Sequence, residues 1–89
     1  MVTYRWEMGL TREEFLRCLA VAVDGAPWRE EGGRIVGADW SVVAAERPAR
    51  KIALISLPVL DVELAVDREG EEATAFVRRF LLGYQRAGG

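Results

Sequence analysis

The sequence predicts a two-layer α+β sandwich: a five-stranded, mainly antiparallel sheet with two helices on one face, in the order β-α-β-β-β-β-α. Three observations predict it. One segment near each end carries apolar residues at helical spacing on one side only. The stretch between them alternates apolar and polar residues with period two. The breaks within that stretch are short, which joins successive strands as an antiparallel meander.

Val2, Tyr4, Trp6 and Met8 alternate with Thr3, Arg5 and Glu7, which predicts a half-buried strand ended by Gly9. Thr11 to Glu14 forms a capping box, with Leu10 and Phe15 placed as a hydrophobic staple. Phe15, Leu16, Leu19, Ala22 and Val23 then share one face of a helix over residues 12–23. Asp24-Gly25 stops it, and Pro27 prevents its return.

Residues 28–31 read as a short strand, and Gly32-Gly33 as a hairpin turn, because glycine takes positive φ without penalty. Residues 34–46 read as one strand, with Gly37 a possible bulge. On it Val36, Ala38, Trp40, Val42 and Ala44 share one face; Ile35, Asp39, Ser41 and Val43 share the other. Residues 47–50 read as a turn. Residues 52–57 are apolar on both faces and are expected to form a covered central strand, broken by Pro58. Leu60, Val62, Leu64 and Val66 alternate with acids in the last strand. Ala73, Phe76, Val77, Phe80, Leu81 and Tyr84 follow helical spacing, and Gly83 is expected to weaken the last turn.

The order resembles the half-repeat of TATA-binding-protein-like folds in its elements alone, so the resemblance implies no function. No family resemblance extends over the body of the chain.

The chain of 89 residues is read as a single α+β domain, with residues 85–89 as a C-terminal tail. No run reaches the roughly 18 apolar residues that span a bilayer, and the first residues lack a signal-peptide layout. The expectation is a cytoplasmic protein with no membrane partner. A net charge of −2, with the arginines scattered among acids, argues against nucleic acid. Lys51 is the only lysine and asparagine is absent, a bias that a GC-rich genome explains.

Chemistry is scarce. There is no His and one Cys, so nucleophilic catalysis lacks its usual base and a thiolate metal cluster lacks ligands. Cys18 lies at the flank of the first helix's apolar face and reads as a small hydrophobe. Asp61, Glu63 and Asp67, with Asp39 on a neighbouring strand, could in principle hold Mg²⁺ or Ca²⁺, but no metal-loop spacing accompanies them. The simpler reading is a solvated acidic face balanced by Arg5 and Arg50. A ligand pocket between sheet and helices would be lined by Trp40, Phe76 and Phe80, residues more simply read as core. No catalytic, metal or cofactor site is therefore expected.

Two features suggest partners. Thr3, Arg5, Glu7, Asp39, Asp61 and Glu63 suit a solvated face, but Ile35, Val43 and Ala45 do not. An apolar centre inside a charged rim is how an interface looks. The expected docking residues are Trp28, Ile35, Val43, Ile55, Leu57 and Leu82, serving a homodimer or another protein. The second feature is the end Tyr84-Gln85-Arg86-Ala87-Gly88-Gly89. Its last two residues resemble the diglycine tails of ubiquitin-like modifiers and of sulfur carriers in thiamin and molybdopterin synthesis. That resemblance implies an alternative function, a carrier whose Gly89 carboxylate, behind Gly88, is activated by a partner enzyme.

Overall fold

A computed structural model of the protein describes the backbone of residues 1–88 and the side chains of residues 1–85. Its elements come in the expected order: β1 (Val2–Met8), α1 (Arg12–Ala22), β2 (Arg29–Glu31), β3 (Arg34–Val36), β4 (Trp40–Ile52), β5 (Ile55–Val66) and α2 (Gly70–Gly88). All strand pairs are antiparallel, and the sheet order is β1-β5-β4-β3-β2. The meander from β2 to β5 is thus intact, and the first strand closes on the last.

Local chemistry sets the ends of α1. The Thr11 hydroxyl accepts from the Glu14 amide at 3.1 Å, and the Glu14 carboxylate accepts from the Thr11 amide at 3.0 Å. Those backbone donors would otherwise have no partner in the first turn. The bond to Thr11 holds the Glu14 carboxyl below the usual carboxylate range. Val23 caps the other end, one residue earlier than the spacing suggests. Gly32 and Gly33 take φ of 56° and 80° in the β2–β3 turn, as that turn requires.

The core lies between the helices and one face of the sheet. Val42, Leu60, Val62, Leu64 and Val66 pack there with Phe15, Leu19 and Phe80. The Phe15 ring stacks on Tyr84 at 4.8 Å, and Trp6 on Phe80 at 5.8 Å. The Tyr84 hydroxyl donates to the Phe15 carbonyl at 3.0 Å, tying α2 to α1.

Four further boundaries differ from expectation. First, residues 34–46 are not one strand. The Gly37 amide donates to the Trp40 carbonyl at 2.8 Å, closing a tight loop over residues 37–39. Pairing restarts with Ile35 opposite Val42, so Ile35 turns to the helix side and is fully buried. Second, residues 47–50 are not a turn: β4 runs through them, with an extra residue between the pairs Arg47–Val59 and Arg50–Leu57. Third, residues 52–57 are not a covered central strand. They form the tip of the β4–β5 hairpin, and every one of them is exposed. Pro58 sits opposite the extra residue, where the ladder is already interrupted and its missing N–H costs nothing. Fourth, α2 continues past Gly83 to Gly88.

Candidate functional site

The pairing register leaves part of one hairpin without neighbours. β1 reaches along β5 only to Leu60, and β3 reaches along β4 only to Ser41 and Val42. Residues 47–59 therefore pair with nothing but each other, and residues 47–57 are all exposed. They form a two-stranded arm that leaves the body of the sheet in a molecule measuring 43 × 27 × 21 Å.

The extra residue at Pro48-Ala49 sets which side chains share a face of that arm. Directly paired residues point the same way. Arg47 pairs with Val59, Arg50 with Leu57, Lys51 with Ser56, and Ile52 with Ile55. Along β5, side chains of odd-numbered residues point away from the helices, because Leu60, Val62, Leu64 and Val66 are core. Ile55, Leu57 and Val59 thus point outward with Arg47, Arg50 and Ile52, while Lys51 and Ser56 lie on the reverse side. Without the inserted residue, Ile52 and Arg50 would swap sides with Lys51. The arm is amphipathic, and its apolar side continues the open face of the sheet.

Exposure follows this pattern. Ile52 is 56 % exposed, Ile55 61 %, Leu57 43 %, and Leu54 at the tip is fully exposed. Three ion pairs lie on the same face: Arg5–Glu63 at 2.6 Å, Arg47–Asp61 at 3.0 Å and Arg50–Glu7 at 2.7 Å. Each is solvated and worth less than about 1 kcal/mol. Their main effect is to leave the face at the arm's root electrically balanced, with three arginines matched to three carboxylates. Arg5 and Arg50 play the expected part, and Arg47 joins them.

Ile55 and Leu57 stand on the arm, and Val43, half-buried, lies on the same open face. Leu82 is exposed on the outer side of α2, apart from the arm. Trp28 is half-buried beside Pro27, Val36 and Ala38 at the β2–β3 edge of the sheet. Ile35 faces the core, because the residue 37–39 loop reverses its side, so it lies off the open face. Ile52 and Leu54 belong with the exposed group. Their signal in the sequence was a strand apolar on both sides, which reads equally as a buried strand or an uncovered one.

A concavity of about 590 Å³ lies between the end of α1, the residue 37–39 loop and α2. Its charged groups neutralise one another. Arg68 donates to Asp39 at 2.6 Å and stacks over Phe76 at 4.9 Å, and Arg79 donates to Asp24 at 2.6 Å. The bond to Asp39 raises the Arg68 pKa further above its ordinary value. Asp39 is thereby drawn away from Asp61 and Glu63, not grouped with them. Among the described residues no cluster of three potential metal ligands occurs. Trp40 and Phe76 line this cleft, whereas Phe80 is fully buried core. Cys18 is half-buried against the core and borders neither the cleft nor the arm.

Gly88 is the last residue of α2, and Gly89, whose carboxylate a carrier would use, lies outside the described residues. Among the described residues no helix is long and apolar enough to cross a membrane. No protein-family model matches the chain, and no curated protein matches it in sequence.

Proposed function

We propose that the protein is a non-catalytic interaction or assembly module that docks a protein partner through the apolar side of its arm and the adjoining open sheet face. One observation carries this reading. The hairpin leaves the body of the fold and places Ile52, Ile55 and Leu57 on one exposed side, with Leu54 fully exposed at the tip. An isolated two-stranded hairpin is marginal in water and needs a packed face to be stable. A contiguous apolar patch inside a polar rim marks an interaction site. The tip also breaks local rules. Its two turn residues are Ala53 and Leu54, with no Gly, Asn or Asp, and Ala53 holds φ at 55°. Sequences depart from local preference mainly where function requires it. Leu54 satisfies no need of the turn, whereas it suits a contact.

The test is genetic and biophysical together. A chain carrying Ile55→Glu and Leu57→Glu should keep the circular dichroism and melting behaviour of the native chain, because neither residue contributes to the core. It should fail to complement loss of the native gene in the source cells. Full complementation by a folded double variant would overturn the docking reading.

A further inference from the structure

We infer that the arm's occupant is a second copy of this chain, stacked face to face with the two arms antiparallel, so that each tip lies over the other's root. This rests on the docking reading and names its partner.

Charge is the first argument. Two-fold pairing sets a patch against itself, so a patch of one sign would repel its own copy. Here each arginine on and beside the arm is already matched to a carboxylate of the same chain: Arg5 to Glu63, Arg47 to Asp61, Arg50 to Glu7; Arg34, at the far β3 edge of the face, instead donates to the Ser41 hydroxyl. Such a face meets its copy without net repulsion. A strongly acidic or basic partner would find no complementary field on it. Lys51, which makes no ion pair among the described residues, pairs with Ser56 in register and so points to the reverse side, away from the contact.

Shape is the second. The outward stripe runs from the tip pair Ile52–Ile55 through Arg50–Leu57 to Arg47–Val59 at the root, and on to Ala45 and Val43 in the sheet. The tip stands six residues from Leu60, where β1 begins to cover β5, which is roughly 20 Å of strand. Antiparallel stacking covers the whole length of each arm, tip on root and root on tip, and brings Ala45 under the partner's tip. A two-fold axis midway along the arm, between the Ile52–Ile55 tip and the Arg47–Val59 root, falls beside Leu57. Aligned sheets pack about 10 Å apart with interleaved side chains, a spacing that suits Ile and Leu.

The experiment combines sedimentation with cross-linking. The native chain should sediment as a dimer, and Leu57→Glu should weaken dimerisation at least about tenfold while its melting curve shows a folded chain. Ile55→Glu serves as the second variant should Leu57→Glu fold poorly. In a Cys18→Ser background, Leu57→Cys should give covalent dimers with a short thiol cross-linker, whereas Leu82→Cys, exposed on α2, should not. A native chain that stays monomeric at millimolar concentration overturns the inference. If the glutamate variants then still fail to complement, the docking reading survives with a different protein as partner. A dimer that cross-links through Leu82→Cys and tolerates both glutamate variants also overturns it, because the second copy then uses the helical side.

Discussion

Ala22 of α1 and Gly83 of α2 touch at the backbone: a Cβ added to Gly83 would lie 2.7 Å from the Ala22 Cα and 2.9 Å from its Cβ and N. The glycine that looks like a weak point in the helix is instead where α2 comes against the backbone of α1. Gly83→Ala gains about 1 kcal/mol of helix propensity. It also forces the helices apart, and overpacking of this kind costs about 1–3 kcal/mol. The backbone of Ala22 cannot yield as a flexible side chain would, so the substitution should destabilise. Urea unfolding measures this, and Ala22→Gly combined with Gly83→Ala should show a favourable coupling. A more stable Gly83→Ala chain would mean that the helices have room to spare.

Gly37 has the same role in the loop before β4. A Cβ there would lie 2.2 Å from the Trp40 indole, inside the ring's own volume. Gly37→Ala should therefore displace the indole and cost about 2–3 kcal/mol, the upper part of the overpacking range. Tryptophan emission should shift to the red as Trp40 gains solvent. An unchanged spectrum with unchanged stability would show that the indole has another place to go.

These two glycines also mark where the sequence could be read and where it could not. Element order was legible because both helices and the last strand carry clean periodicity, and the Thr11–Glu14 cap is a local signal that acts locally. The break at residues 37–39 was not, since it depends on one glycine accommodating an indole across a loop. Period-two counting through it assigned Ile35 to the wrong side. The arm was missed for a related reason. Its turn, Ala53-Leu54, lacks turn residues, whereas Pro48 and Pro58 look like breaks. In the pairing register those two prolines lie opposite one another, flanked by Arg47–Val59 and Arg50–Leu57. They mark the root of one long hairpin. Proline alone cannot distinguish a strand's end from a bulge in it. Of the residues expected to dock, Ile55, Leu57 and Leu82 are exposed and Val43 lies on the open face, but Ile55 and Leu57 owe their exposure to the arm and not to the covered strand that the apolar run 52–57 suggests.

Tyr84 sets a limit on alkaline stability. Burial first, and the neighbouring Cys18 second, push its phenol above the ordinary value. The folded state then binds its proton more tightly than the unfolded state does. Its contribution is complete below the unfolded pKa of about 10 and is lost as pH rises beyond it, toward the folded value. Unfolding free energy should fall from pH 10 upward in the native chain. Tyr84→Phe removes the bond to the Phe15 carbonyl at a cost of about 1 kcal/mol near neutrality, but its stability should fall less steeply above pH 10. Parallel slopes for the two chains would mean that the phenolate is accommodated, with water reaching the hydroxyl.

The arm's tip separates what the turn needs from what a contact needs. Ala53 sits at φ 55°, a region that costs an alanine roughly 1 kcal/mol relative to glycine. Ala53→Gly relieves that strain, although glycine's extra freedom in the open hairpin offsets part of the gain. The net effect should be slower hydrogen exchange at the amides that hold the arm closed, with little change in global stability, because the core lies elsewhere. Leu54 is fully exposed and holds nothing closed. Leu54→Ser should leave arm exchange unchanged and yet weaken assembly. Faster arm exchange in Leu54→Ser would assign Leu54 a structural role in the hairpin and remove the tip from the docking surface.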